Sequence, residues 1–309
     1  MAQLESAPDI NRSVDRLLRR SGARYRFPTP VDDIVGAQRL QVTAPDASPL
    51  ALSMIATAPM ALQEAVRALR YKVLAMLDRR ERHVHLDPDS LEVQRRFSSC
   101  HEVGHDLCPW HSAPYFADGA EQLAPNVRAT FEQEANYAAT GLLFQQRIFG
   151  EVASGLPVGA GAILHLATQF GASIHATFWH YVETSEQMLV GFILTPTPVG
   201  TDTAAYRFRV KNALASPAFA RAFPVLDTVP TLLSTQEHPD LKVAWEALHA
   251  SDLPSAGEMY LVGRDGNTYL LTFEIFSNFY SVFLVAFNPR VQTPQHGKGL
   301  WIPRGSTRE

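Results

Sequence analysis

The chain lacks most of the features that mark specialised classes of protein. It has 2 cysteines in 309 residues, so no disulfide framework can carry the fold, and a reducing compartment is expected. Cys100 and Cys108 stand on one expected helix, about 12 Å apart along its axis, which is too far for a disulfide. They read as small buried hydrophobes, with a secondary reading of Cys100 as a redox-sensitive residue. No uninterrupted apolar run reaches the roughly 18 residues that a membrane span needs; the run from Tyr280 to Phe287 has only the length of a strand. Met1-Ala2-Gln3-Leu4-Glu5 carries no basic region ahead of an apolar one, so no secretory signal is expected and the expected location is cytoplasmic. Basic blocks are also missing. Arg19-Arg20 and Arg79-Arg80 are short pairs, and the net charge is −4, a balance that argues against direct DNA binding.

Hydrophobic residues make up 46% and charged residues 19%, an ordinary globular composition, and the length suits two or three domains. Within it, His101-Glu102-Val103-Gly104-His105 spells His-Glu-x-x-His. On a helix, residues four apart share a face, so both imidazoles can reach one metal ion. Glu102 then stands beside the open coordination position, where it can take a proton from water. The run Arg95-Arg96-Phe97-Ser98-Ser99-Cys100 has no Pro or Gly, so a helix can lead into the motif. Gly104, inside it, allows another element to come close at a cost in helix propensity.

Catalytic zinc sites use three protein ligands. A second expected helix, Phe131 to Ala139, offers Glu132 and Glu134, about 200° apart, so one of them at most can face the metal. Asn136 shares the face of Glu132 and could accept the second N–H of a ligating histidine, fixing its tautomer. Glu132 is therefore the expected ligand, Glu134 the alternative, and Asn136 the supporting acceptor. These donors suit zinc, and manganese as well.

The residues Arg-Arg-Phe-Ser-Ser-Cys-His-Glu-Val-Gly-His, followed by Glu132-Gln133-Glu134-Ala135-Asn136 and Leu142-Leu143, resemble the ImmA/IrrE metallopeptidases. Pro30-Val31-Asp32-Asp33-Ile34-Val35 resembles that family's entry segment. The C-terminal third is similar, more weakly, to the GAF-like domain of the IrrE-type regulators. The departures are Cys100 in place of Ala, Phe144-Gln145 in place of Met-Pro, and a lengthened helix from Met60 to Arg82. The resemblance implies zinc on His101, His105 and Glu132, with Glu102 as general base. It also implies cleavage of an XRE-type helix-turn-helix repressor, which derepresses stress-response or mobile-element genes. A non-proteolytic regulator that uses the zinc fold as an interaction surface is the alternative.

The expected fold class is α+β. A zincin-like metallopeptidase domain spans 1–152, a small helical HTH-like segment 153–187, a GAF-like sensor domain 188–292, and a flexible tail 293–309. Asn11 to Gly22, Val31 to Ala37 and Met60 to Arg82 read as helices, the last from apolar residues at helical spacing. Leu40 to Thr43 and His83 to Leu86 read as strands, and the second is a candidate edge strand for pairing with an extended substrate. His83 and His85 have surface or structural roles. Pro109 ends the metal helix, and His111 and Tyr115 beyond it are candidates for stabilising an oxyanion. Helices are expected on either side of Gly171, with Ser173 as the second N-cap. Strands are expected around Leu189, Tyr206, Met259, Tyr269 and Tyr280, with a helix from Leu241 to His249. Phe273, Phe276, Phe279, Tyr280 and Phe283 read as core, or as the lining of a small-molecule pocket that would take a signal.

Overall fold

A computed structural model describes residues 4–43, 75–78, 82–87, 89–111, 125–199, 202–223, 232–235, 239–251, 253–262, 264–278 and 280–291. The loop 45–49, residues 60–74, Tyr115, Phe279 and the tail from Thr293 lie outside them. The protein is a mixed α+β chain of two compact units. One comprises Met1–Val152 with Ala167–Ser173, the other Ala153–Leu166 with Ile174–Glu309. Residues 153–187 are thus shared between the units.

In the first unit, α1 (Ala7–Arg20) begins with Pro8 in its first turn, where the missing N–H costs nothing. Its Ile10, Val14, Leu17 and Leu18 recur at helical spacing and are all buried. Helix α2 (Val31–Ala37) buries Val31, Ile34 and Val35 in the same way. A three-stranded sheet follows, built of β1 (Gln41–Thr43), β2 (Ala75–Asp78) and β3 (His83–Leu86) in the order β1-β3-β2. Two sequence expectations fail here. The end of the Met60–Arg82 helix is strand: Ala75 pairs with Leu86 and Leu77 with Val84 in an antiparallel ladder. A short apolar run does not carry enough turns to distinguish helix from strand, and a partner strand a few residues later settles the matter. Nor is β3 an edge, since β1 pairs with it in parallel on its other side, leaving it no free backbone face for a substrate. Arg82, in the left-handed region at φ 62°, leads into β3. Its guanidinium holds Asp106 through both carboxylate oxygens, at 2.7 and 3.1 Å, and so ties the sheet to the end of the next helix.

That helix, α3 (Glu92–Leu107), packs along α4 (Pro125–Leu143). Gly104 is where they meet. A Cβ there would stand 2.7 Å from the Ala135 carbonyl oxygen and 3.1 Å from Ala138 Cβ, so only glycine permits this approach. Arg96, two turns earlier, donates to the carbonyls of Gly171 (2.7 Å), Thr29 (2.6 Å) and Phe170 (3.3 Å). One side chain thereby takes the last carbonyl of α6 (Ala160–Phe170) and that of the glycine after it. Helix α5 (Arg147–Ser154) contributes Ile148 and Phe149 to the core.

In the second unit the sheet has the order β6-β5-β4-β9-β8-β7, antiparallel throughout. Its strands are β4 (Leu189–Val199), β5 (Asp202–Ala215), β6 (Leu232–Ser234), β7 (Ser255–Val262), β8 (Thr268–Ser277) and β9 (Val282–Val291). Helix α8 (Pro217–Ala222) follows β5, with Ser216 accepting from the Phe219 N–H as its cap. Alternation along the strands sends side chains to two faces. Val190, Phe192, Leu194, Phe273, Ile275 and Leu284 join Leu241, Ala244, Trp245 and Leu248 of α9 (Pro239–Ser251) in one core. On the other face, Phe178 of α7 (Ile174–Thr184) meets Phe283 and Phe276 at centroid distances of 5.0 and 6.1 Å. A Cβ on Gly191 would stand 2.7 Å from the Phe178 ring, so this strand glycine makes room for an aromatic. Phe273, Phe276 and Phe283 are core, whereas Tyr280 is 82% exposed. None of the described helices is long and apolar enough to cross a membrane.

Candidate metal centre

Helix α3 places His101 and His105 on one face, one turn apart, with their Nε2 atoms 3.1 Å from each other. Helix α4 crosses at Gly104 and brings Glu132 to the same point, with one carboxylate oxygen 3.3 Å from His101 Nε2 and the other 3.8 Å from His105 Nε2. Among the described residues these three form a group able to hold a metal ion. A tetrahedral ion with bonds of about 2.0–2.2 Å needs ligand atoms roughly 3.3–3.6 Å apart; the separations here are 3.1, 3.3 and 3.8 Å, within a few tenths of an ångström of that. Two imidazoles, borderline donors, with one hard carboxylate oxygen suit zinc and also manganese. The residues present therefore fit a divalent metal. Glu132 is half exposed, so the ligand triangle opens towards solvent on that side.

The electrostatics match the geometry. Burial pulls the His101 ring towards neutrality. The hydrogen bond with Glu132, the nearby charges of Glu102 and Glu132, and the hydrogen bond with Asn136 together outweigh it, and the net shift is upward. The Glu132 carboxyl is held below the usual carboxylate range, first by its hydrogen bond from His101, against desolvation, and then by the charges of His105, His101 and Arg128. Glu102 is buried, on the same helix turn as His101. Asn136 Oδ1 lies 3.0 Å from His101 Nδ1. As an acceptor it favours a proton on Nδ1, so that with a metal bound Nε2 would be the ligating nitrogen.

Glu134, the alternative ligand, points to the opposite side and is enclosed. It accepts from Ser6, from Trp110 Nε1 at 2.8 Å, and lies 2.6 Å from His111 Nε2. Burial pushes its carboxyl up, but these three hydrogen bonds and the charge of His111 bring the net shift down. His111 is itself fully buried and directed at His105 and Glu134, so it cannot serve as an oxyanion donor. Sequence reasoning missed this layer of Ser6, Trp110, His111 and Glu134. The available signal was the 200° separation of the two glutamates, which requires the second to find donors of its own. His83 lies on β3 outside the ligand group found among the described residues, and His85 is placed on β3 by its backbone register alone. Cys100 is buried, and desolvation raises its thiol to about 12 in spite of the Arg96 charge, which removes the thiolate that redox chemistry would need.

No protein-family model matches this chain, and no curated protein matches it. Among solved structures, a Mycobacterium tuberculosis transcriptional regulator is similar at a TM-score of 0.48 and 15% identity, covering 90% of this chain and 76% of that one.

Proposed function

We propose that the protein is a zinc-dependent endopeptidase, with a zincin-like first unit, that cleaves a helix-turn-helix transcriptional repressor. The observation that carries the catalytic part is the convergence of His101 Nε2, His105 Nε2 and Glu132 beside the buried Glu102. Bound there, zinc would supply Lewis acidity to water and to the scissile carbonyl. Glu102 would accept the proton of the attacking water and deliver it to the departing amine nitrogen. Asn136 would keep His101 in the ligating tautomer. Gly104 would hold the two ligand-bearing helices at the required separation. The substrate class rests on the resemblance of the two metal helices to the ImmA/IrrE peptidases. On that reading the second unit is a GAF-like sensor, its sheet covered by α7 and α9.

The test is to incubate the purified, zinc-loaded protein with the helix-turn-helix repressor encoded nearest to its gene, with and without chelator. A discrete, chelator-sensitive cut is expected. Intact repressor, together with a stress response that survives Glu102→Gln in cells, would instead identify a non-proteolytic regulator.

A further inference from the structure

We propose that the β4–β5 face of the second unit docks the phosphate backbone of double-stranded DNA through Arg207, Arg209 and Lys211. The inference goes beyond the metal centre and does not depend on it.

Strand β5 alternates. Phe208 and Val210 pack into the core that α9 closes, so Arg207 and Arg209 point to the other face of the sheet. Both are exposed. The ladder sets Thr197 opposite Arg207 and Thr195 opposite Arg209, which adds two hydroxyls to the same face. The register then slips, with Leu194 on Val210 and Ile193 on Asn212. Lys211 is the extra residue of this β-bulge, and a bulge re-aims its side chain. The side chain turns towards α7, where burial first and the Lys211 charge second hold the His175 ring towards neutrality. His175 packs on Phe283, 6.0 Å between centroids, on the α7 face of the sheet. Arg207 and Arg209 stand about 6.6–6.8 Å apart along the strand, and Lys211 continues the row.

Neighbouring acids do not offset these charges. Strand β4 contains no acidic residue and β5 only Asp202, its first. Glu183 stands at the opposite end of α7 from His175. Glu274, three strands away, is occupied by the Ala160 N–H at 2.6 Å. Among the described residues, none of the three cations forms an ion pair or a side-chain hydrogen bond.

The class of partner follows from the chemistry of the face. Guanidinium forks, an ammonium and hydroxyls are the donors that hold phosphate oxygens. A protein partner would need an apolar or aromatic anchor at the centre of its interface. A single strand would need aromatic side chains on which its unpaired bases stack. Among the described residues of β4 and β5, no large apolar side chain is exposed. Duplex DNA needs neither feature, because its bases are already stacked and its backbone presents phosphates. The net charge of −4 belongs to the whole chain, whereas a polyanion meets the local field.

The experiment follows the anisotropy of a fluorescent duplex of about twenty base pairs, titrated with the full chain between about 50 and 200 mM salt. Wild type is expected to loosen about 40-fold across that range, as three contacted phosphates require. Arg207→Gln and Arg209→Gln should each lower the slope of log affinity against log salt by about one. Arg209→Lys keeps the charge and should keep the slope, which separates a lost contact from a lost fold. Lys242→Gln, on α9 across the sheet, and His101→Ala, at the metal centre, are expected to match wild type. The proposal is overturned if no salt-sensitive binding appears, or if the Arg207→Gln, Arg209→Gln double variant binds as tightly as wild type. Tighter binding of the matching single strand, or of a polyglutamate peptide, would overturn it as well.

Discussion

The Ala135 carbonyl oxygen of α4 lies 2.7 Å from the point where a Cβ on Gly104 of α3 would stand. The atom in the way is backbone, which cannot rotate aside as a flexible side chain would. Gly104→Ala is therefore expected to force the helices apart and destabilise the protein by about 1–3 kcal/mol, the usual range for overpacking, although alanine is the better helix former. Zinc affinity should fall with it, because Glu132 is carried by the helix that moves. Thermal unfolding and chelator competition on one preparation check both effects. Unchanged values would show that the helices can yield without disturbing the ligands.

The separate roles proposed for Glu102 and Glu132 at the candidate metal centre imply separable losses. Glu102→Gln should bind zinc like wild type and lose peptidase turnover by a factor of about 10²–10⁴, the range for a missing general base. Glu132→Ala should lose zinc itself, with turnover absent for want of metal. Metal content by atomic absorption, alongside a cleavage assay, distinguishes the pair. Retention of full metal in Glu132→Ala with loss in Glu134→Ala would assign the third ligand to Glu134.

Both cysteines should be silent in the native state. Cys100 and Cys108 are fully buried, and the Cys100 thiol is raised to about 12 by desolvation, so almost no thiolate exists at pH 8. Iodoacetamide is expected to label neither residue until denaturant is added, and then to label both. Rapid native labelling of Cys100, followed by mass spectrometry, would show an opening motion at the metal helix.

The second unit should lose stability in mild acid through His180. Burial lowers this histidine from 6.5 to about 4, so between those values the unfolded chain binds a proton that the folded chain refuses. Stability therefore falls as pH drops through 6.5 and levels off below about 4. His180→Gln removes the titrating group. Its denaturation midpoint should change less than that of wild type between pH 7 and pH 4.5, and equal slopes would exclude His180 as the source.

Much of the candidate metal centre could be read from the linear chain because a helix converts spacing into direction. His101 and His105, four apart, must share a face, and so must Glu132 and Asn136, whereas Glu132 and Glu134 cannot. The strands of the second unit were legible for a similar reason. Alternation and the Arg264–Thr268 turn place β7 and β8; the structure lengthens β5 to Asp202–Ala215 and adds β6, which three residues of sequence do not announce. Misreadings came where local pattern was ambiguous. Ala75–Asp78 was read as part of a helix and is strand, because β3 supplies hydrogen-bond partners that no local window contains. The same pairing made β3 an interior strand. His111, on sequence one of two candidate oxyanion donors, lies fully buried beside His105 and Glu134, because a single tight turn after Pro109 reverses the chain.

The sequence by itself determined the donor set, the residue types, their faces and the place where a glycine was needed between them. Those follow from helical periodicity and side-chain chemistry, which act over a few residues. Only the tertiary structure decided how far apart the ligand-bearing helices lie, which glutamate turns inward, and what stands behind His105. The first two depend on residues about thirty apart in sequence, Gly104 against Ala135 and His101 against Glu132, and the third on a tight turn that brings His111 back to His105; no helical pattern carries that information.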